Sequence, residues 1–180
     1  AGYGTDERYE GSLLLNYFKD KRKFSVLASA NNINATGFSM NEVFDNMGGG
    51  RNRSVYYNDN GSFGINGMRF GGGSGITESS MVGINYADEW FKNLDTRTSY
   101  FYSGSETNNN NRTTQINLLP DGTFTTESTS ISKQKNESQS ANFDFEFKID
   151  STATVFITPR FSKSTSDGRQ NSTETSSDES

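Results

Sequence analysis

Neither cysteine nor histidine occurs anywhere in the 180 residues, proline occurs twice and tryptophan once. Without cysteine there is no disulfide framework, no thiolate nucleophile and no Cys-ligated zinc. Without histidine, Ser-His-Asp and Cys-His catalysis and the usual zinc sites are also excluded, so any enzyme would be restricted to carboxylate, Lys or Tyr chemistry. Positive charge is short as well: 17 Lys and Arg face 22 Asp and Glu, for a net charge of -5. With a pI near 4.8, the chain lacks the basic footprint of a nucleic-acid binder, and nucleic acid is discarded as a partner. Hydrophobic residues make up only 30%, against about 45–50% (glycine included) in an ordinary globular domain. No run approaches the roughly 18 apolar residues of a membrane-spanning helix. A mean hydropathy of -0.80 would suit a disordered chain, but 14 Phe and 8 Tyr argue against disorder. Membrane β-barrels reconcile these facts, because their strands show only alternating hydrophobicity while lumen and outer loops stay polar.

The alternation is clearest over residues 140–162. Ala141, Phe143, Phe145, Phe147 and Ile149 occupy one set of alternate positions, and Asn142, Asp144, Glu146, Lys148 and Asp150 the other. Successive side chains of a strand point to opposite faces, so this stretch has one apolar and one polar face. After a break at Asp150, Ser151 and Thr152, the pattern resumes with Ala153, Val155, Ile157, Pro159 and Phe161 on the apolar side. Two such arms joined by a tight polar turn are a hairpin, and about ten residues per arm suits a tilted membrane-crossing strand.

The same reading extends along the chain. Residues 9–19 carry Leu13, Leu15 and Tyr17 on one face and Ser12, Leu14, Asn16 and Phe18 on the other; residues 24–31 return with Phe24, Val26, Ala28 and Ala30 aligned. Val82, Ile84 and Tyr86 mark a strand over 80–87, and Tyr100 and Tyr102 one over 97–104. Between these pairs lie two long connections. Residues 32–79 are rich in Gly, Asn and Ser, and a segment of that length is functional or disordered. Within it, Ser39 followed by Glu42 forms a capping box for a helical turn or two. Residues 104–138 read as the arms of one very long hairpin turning at Pro120-Asp121-Gly122.

Short turns at 20–23, 88–95 and 150–152 therefore alternate with long connections at 32–79 and 104–138. That order predicts an all-β fold of antiparallel up-and-down hairpins forming part of a transmembrane β-barrel, with short periplasmic turns and long extracellular loops. Residues 1–165 are the partial barrel and 166–180 a polar loop or tail. The opening residues read as a strand already under way, so the chain reads as a piece of a longer protein. Leu13, Leu15, Val26, Val82, Ile84, Phe143, Phe145, Phe147, Val155 and Ile157 are the expected lipid-facing set. Aromatic residues gather near the short turns (Tyr17, Phe18, Phe24, Tyr86, Trp90, Phe91, Tyr100, Tyr102, Phe147), as an interfacial girdle requires.

The run YGTDERYEGSLLLNYFKDKRKFSVLASANNINATGFS, the Gly-rich loop after it, NLLPDGTF and FDFEFKID resemble the β-barrel part of large outer-membrane proteins of Bacteroidetes-type bacteria, akin to TonB-dependent receptors. The resemblance covers most of the chain and rests on strand and loop patterns. It implies a place in the outer membrane, outer-membrane lipid as a partner, and binding or uptake of an external ligand. Relatives of this kind carry a plug domain and often a carboxypeptidase-regulatory-like domain upstream, and TonB-type energy coupling would act through such parts.

Other motifs point less far. Gly71, Gly72, Gly73, Ser74 and Gly75 lack the Gly-Lys-Ser/Thr ending of a phosphate loop. Asn58, Asp59, Asn60 and Gly61 lack the distal Glu of a calcium loop and read as a turn. Six Asn-X-Ser/Thr sequons, at Asn34, Asn52, Asn60, Asn111, Asn136 and Asn171, are expected by chance in a chain this rich in those residues. Asp144, Glu146 and Asp150 read as a hydrated lumen wall rather than an acid/base pair. Tyr56, Tyr57, Phe63, Arg69 and Phe70 form a possible ligand-contact loop, or pack that loop on itself. No catalysis, cofactor or metal is expected. The rival reading is a soluble or surface-exposed β-sandwich or adhesin-like binding module, in which the Phe143/Phe145/Phe147 face would be a core covered by other apolar strands.

Overall fold

Side chains that sort into two faces with a period of two leave no helical option, and the chain folds as an all-β protein with a single helical turn at 41–43 among its described residues. The computed structural model describes residues 2–5, 7–35, 37–39, 41–43, 55–59, 62–65, 68–70, 75–119 and 122–179. In chain order the strands are β1 (Gly2–Tyr3), β2 (Tyr9–Lys19), β3 (Arg22–Asn31), β4 (Val55–Tyr57), β5 (Phe63–Ile65), β6 (Met68–Phe70), β7 (Ile76–Phe91), β8 (Leu94–Leu119), β9 (Gly122–Lys148), β10 (Thr154–Ile157) and β11 (Arg160–Glu179). The main sheet is antiparallel, ordered β1-β2-β3-β7-β8-β9-β10, and β11 continues beside β9 beyond β10. It is open: among the described residues the β2 edge does not meet the β10 and β11 edge.

The first two short turns are tighter than the sequence suggests, and the third is slightly wider, spanning 149–153 between Lys148 and its partner Thr154. β2 and β3 are joined through Asp20 and Lys21, with Lys19 opposite Arg22. The expected turn at 88–95 shrinks to Lys92 and Asn93, because a bulge between Glu89 and Phe91 keeps the ladder going to Phe91 opposite Leu94. Asp20 and Asn93 take the positive φ of these turns (52° and 74°), which Asp and Asn tolerate better than other side chains. In the third turn the Asp150 carboxylate accepts from Thr152 N and Thr152 Oγ1, both at 2.7 Å, and from Ala153 N at 2.9 Å. These three donors hold its pKa below the ordinary Asp value.

The long hairpin is continuous. β8 and β9 pair from Leu94 opposite Phe147 to Leu119 opposite Gly122. The C-terminal stretch corrects the expected polar tail: β11 pairs with β9 from Arg160 opposite Asn142 to Glu179 opposite Thr123. Ser and Thr are compatible with strands, and the edge of β9 would otherwise leave a row of unpaired backbone groups.

The connection 32–79 returns to the sheet. β4, β5 and β6 form a small antiparallel sheet, and β6 lies against β8 and β9. Phe38, Val43, Phe63 and Ile65 from this segment join Leu27, Met81 and Phe101 of the main sheet in one core, each 7% exposed or less. Burying a side chain of this size stabilises by about 1.5–3 kcal/mol. Leu27, Gly83 and Phe101 stand in one register row. A Cβ on Gly83 would sit 2.5 Å from the Phe101 ring and 3.1 Å from Leu27 Cγ, so glycine is what lets that ring cross the strand.

Three asparagines tie the segment down. Asn31 Nδ2 donates to Ala35 O (3.0 Å) and its Oδ1 accepts from Ala35 N (3.1 Å). Asn32 Oδ1 accepts from Tyr9 N (2.8 Å) and its Nδ2 donates to Glu7 O (2.9 Å). Asn34 Oδ1 accepts from Thr77 N and its Nδ2 donates to Gly75 O, each at 2.7 Å. Each amide stands in for a peptide group where the chain leaves the ladder. The capping box forms too: Ser39 N donates to Glu42 Oε2 (2.8 Å) and Glu42 N to Ser39 Oγ (3.3 Å).

Candidate functional site

Because directly opposed residues of paired strands share a face, the register fixes which side chains assemble. Leu15, Val26, Ile84, Tyr100, Ala141 and Phe161 form one row across six strands. Leu13, Ala28, Val82 and Tyr102 form the next row up, and Tyr17, Phe24, Tyr86, Thr98 and Phe143 the next row down. Phe145 lies opposite Ile157, and Phe147 opposite Val155. All ten residues of the expected lipid-facing set thus fall on one face of one sheet. Rings extend the band: Phe143 stacks on Phe145 at 6.5 Å, Phe161 meets Phe143 edge-on at 6.4 Å, and Trp90 meets Phe145 edge-on at 6.2 Å.

This face is bare. Leu13 and Ile157 are each 58% exposed and Phe161 is 65% exposed, whereas soluble monomers rarely expose contiguous apolar patches beyond a few hundred Å². From Ala141 to Ile149 the band runs nine residues, about 27 Å along the strand and about 20 Å in height at a barrel-like tilt. Charged residues bound it at both ends. On the short-turn side Lys21 pairs with Glu89, and Arg22 Nε donates to Asp88 Oδ2 at 2.8 Å. On the long-loop side Lys133 meets Glu106 at 2.5 Å, Lys135 meets Glu137 at 2.9 Å and Arg112 meets Glu127 at 2.8 Å. Lys133 lowers the Glu106 pKa, and Glu137 raises that of Lys135. A groove of about 250 Å³ sits at this upper border, between Tyr9, Tyr102, Glu78, Glu106, Lys135 and Glu137.

The opposite face is the covered one, and sequence reasoning missed this. Besides the apolar core it buries Ser25, Ser29, Asn31, Ser99, Ser140 and Asn142. Asn142 Nδ2 donates to Ser99 Oγ at 3.3 Å. Asn142 Oδ1, Ser140 Oγ and Asn85 Oδ1 are buried and lack a hydrogen-bond partner. Asp144 lies opposite Arg97 and Glu146 opposite Asp95, while Asp150 caps its own turn, so the three carboxylates do not converge.

The five loop residues are placed differently from one another. Phe63 is turned into the core. Tyr56 and Tyr57 are exposed, the Tyr56 ring lying over Gly64. Arg69 and Phe70 lie in β6, and their side chains are outside the described residues. Of the Gly-rich cluster only Gly75 is described, at φ 102°. Asn58 Nδ2 donates to Ser62 Oγ at 3.0 Å, and Asn60 and Gly61 lie outside the described residues. The Asn34 sequon has both amide atoms bonded to backbone. Among the described residues no cluster of three or more Asp and Glu is arranged to hold a metal, and no helix is long and apolar enough to cross a membrane. Compared with family models, curated proteins and solved structures, the chain has no match.

Proposed function

We propose that the chain is a segment of an outer-membrane β-barrel of the TonB-dependent receptor-like kind, whose role is to bind or take up an external ligand. The observation that carries this reading is the bare apolar band. Six strands align their apolar side chains on a single face, and the chain's long connection covers the other face instead. In water such a band has no stable use, since at about 25 cal/mol per Å² its exposure opposes folding. Facing lipid, it is the outward surface of a barrel wall, flanked by aromatic residues and then by charge. The sandwich alternative needs a facing apolar layer, yet the strands that would supply it lie in this same sheet with their apolar sides parallel to the Phe143 face. In the barrel, the covered face looks into the lumen, and the small sheet with its core narrows the passage. The β8, β9 and β11 extensions stand on the outer side.

Protease shaving of intact cells carrying the full-length protein tests the orientation. Cleavage is expected first in the extensions around the β8 to β9 turn, where the backbone is farthest from the band. Cleavage at Asp20 and Lys21 or at Ser151, with the extensions intact, would overturn the arrangement.

A further inference from the structure

Above Asn108, where β7 ends opposite it, β8, β9 and β11 continue as a three-stranded ribbon whose two faces have different chemistry. Over the mutually paired residues 103–115, 126–138 and 164–176 there are nine charged side chains: Glu106, Arg112, Glu127, Lys133, Lys135, Glu137, Asp167, Arg169 and Glu174. By register eight of the nine share the side of the apolar band, Glu174, opposite Ser128 near the upper end, being the exception. If each side were equally open to charge, a split at least this uneven toward the band would arise about once in 51 arrangements. The other side carries 21 positions in the same spans, and all but Glu174 are Ser, Thr, Asn, Gln or Gly.

That side, uncharged below Glu174, is continuous with the covered face, since along β9 it runs through Ser138 into Ser140 and Asn142. Ser140 Oγ and Asn142 Oδ1 are buried there without a partner, at 2% and 7% exposure. Higher up, some positions bond to one another: Ser138 and Ser164 at 3.0 Å, Ser166 Oγ to Asn136 Oδ1 at 2.7 Å, and Gln170 Nε2 to Ser130 Oγ at 3.1 Å. Among the described residues Asn109, Asn111, Thr113, Ser128 and Ser132 make no side-chain hydrogen bond, leaving donors and acceptors free. The grid repeats about every 6.8 Å along a strand and 4.8 Å across. Hydroxyl and amide groups both donate and accept, so they match a ligand that does the same; a charged ligand would instead be met by the ion-forming side chains placed on the opposite face.

We infer that the uncharged face of this ribbon is a binding track for an uncharged ligand rich in hydroxyl or amide groups, leading down to Ser140 and Asn142. This rests on the reading of the chain as a receptor barrel and specifies its ligand class.

The test uses the full-length protein in nanodiscs, with cellohexaose as a neutral probe and a hexameric polygalacturonate as a charged probe of equal length. Cellohexaose should bind, and the pair Asn111→Asp with Ser130→Asp, opposed in register on the uncharged face, should weaken it about tenfold or more. Asn110→Asp, one residue away on the other face, should leave affinity within about twofold. Absence of cellohexaose binding at millimolar concentration, preference for the polygalacturonate, or a loss at Asn110→Asp equal to that of the 111/130 pair would each overturn the proposal. Unchanged melting of the variants verifies that folding is intact. A fluorophore at Phe145 in the same samples reports lipid contact separately, so failure of the barrel reading is seen independently of the probes.

Discussion

The two faces of the main sheet differ in what covers them, and the assignment is the reverse of what hydrophobicity alone would give. The face with Leu13, Leu15, Val26, Ile84, Phe143 and Phe145 carries most of the large apolar side chains of the main sheet and no other segment is folded onto it among the described residues. The face with Ser25, Asn85, Ser99 and Asn142 is mostly polar, yet the chain's longest connection is folded onto it. A protein folding against water would choose the other way round, because apolar area removed from water drives burial. On the proposed reading the bare face is turned to lipid, while the covered face holds a small core within a polar wall.

The largest way to break that comparison is on the covered side. Phe101→Ala should cost about 3–5 kcal/mol, since it empties the centre of the core and leaves the row of Leu27 and Gly83 without its ring. Denaturant unfolding in detergent checks this, with Val82→Ala, on the bare face and half-exposed, as the comparison at less than about 1 kcal/mol. Equal costs would mean that the covered core does not organise the fold.

Charge sharpens the contrast. Phe145→Arg, in the row of Asp88 toward the short-turn border of the band, should cost about 1–2 kcal/mol in a bilayer, between the midplane and interface values for Arg or Lys on a barrel's lipid face. Asp144→Arg, one residue away on the wet side, should be tolerated, and both are read from folding titrations into liposomes. Similar penalties at 144 and 145 would erase the distinction between faces.

The smallest effect lies at the third short turn. Asp150 accepts from Thr152 and Ala153, which lowers its pKa. A lowered carboxyl pKa means that the turn is favoured above the unfolded-state value and loses this contribution as pH falls through the folded one. The Thr152 and Ala153 amide resonances should therefore titrate with a midpoint below that of an ordinary Asp, and Asp150→Asn should abolish the titration. A midpoint at or above the ordinary value would show that the carboxylate is not held as described.

Much of this was legible from alternation, because a strand's period of two assigns side chains to faces without any tertiary information. The Phe143 to Phe147 stripe, the short turns, the long hairpin and the Ser39 to Glu42 box follow from local chemistry, and the structure has all of them. What alternation leaves open is which face a distant segment covers. Leu27, Met81 and Phe101 interrupt otherwise polar stripes in neighbouring strands, and aligning those interruptions would have pointed to the covered core. Phe63 reads in sequence as a loop aromatic and is core because β5 packs under the sheet. Residues 163–179 carry no apolar stripe, so their pairing with β9 is set by backbone hydrogen bonding and not by side-chain pattern.

The central claim is that the bare face contacts lipid. The chain has no native cysteine, so single cysteines from position 141 to 149 in the full-length protein, with any cysteine outside this chain replaced by serine, can each carry a fluorophore without background. In liposomes containing a lipid-phase quencher, labels at Phe143, Phe145 and Phe147 should be strongly quenched and labels at Asn142, Asp144 and Glu146 should not. Uniform shielding of the three Phe positions from lipid would contradict the account.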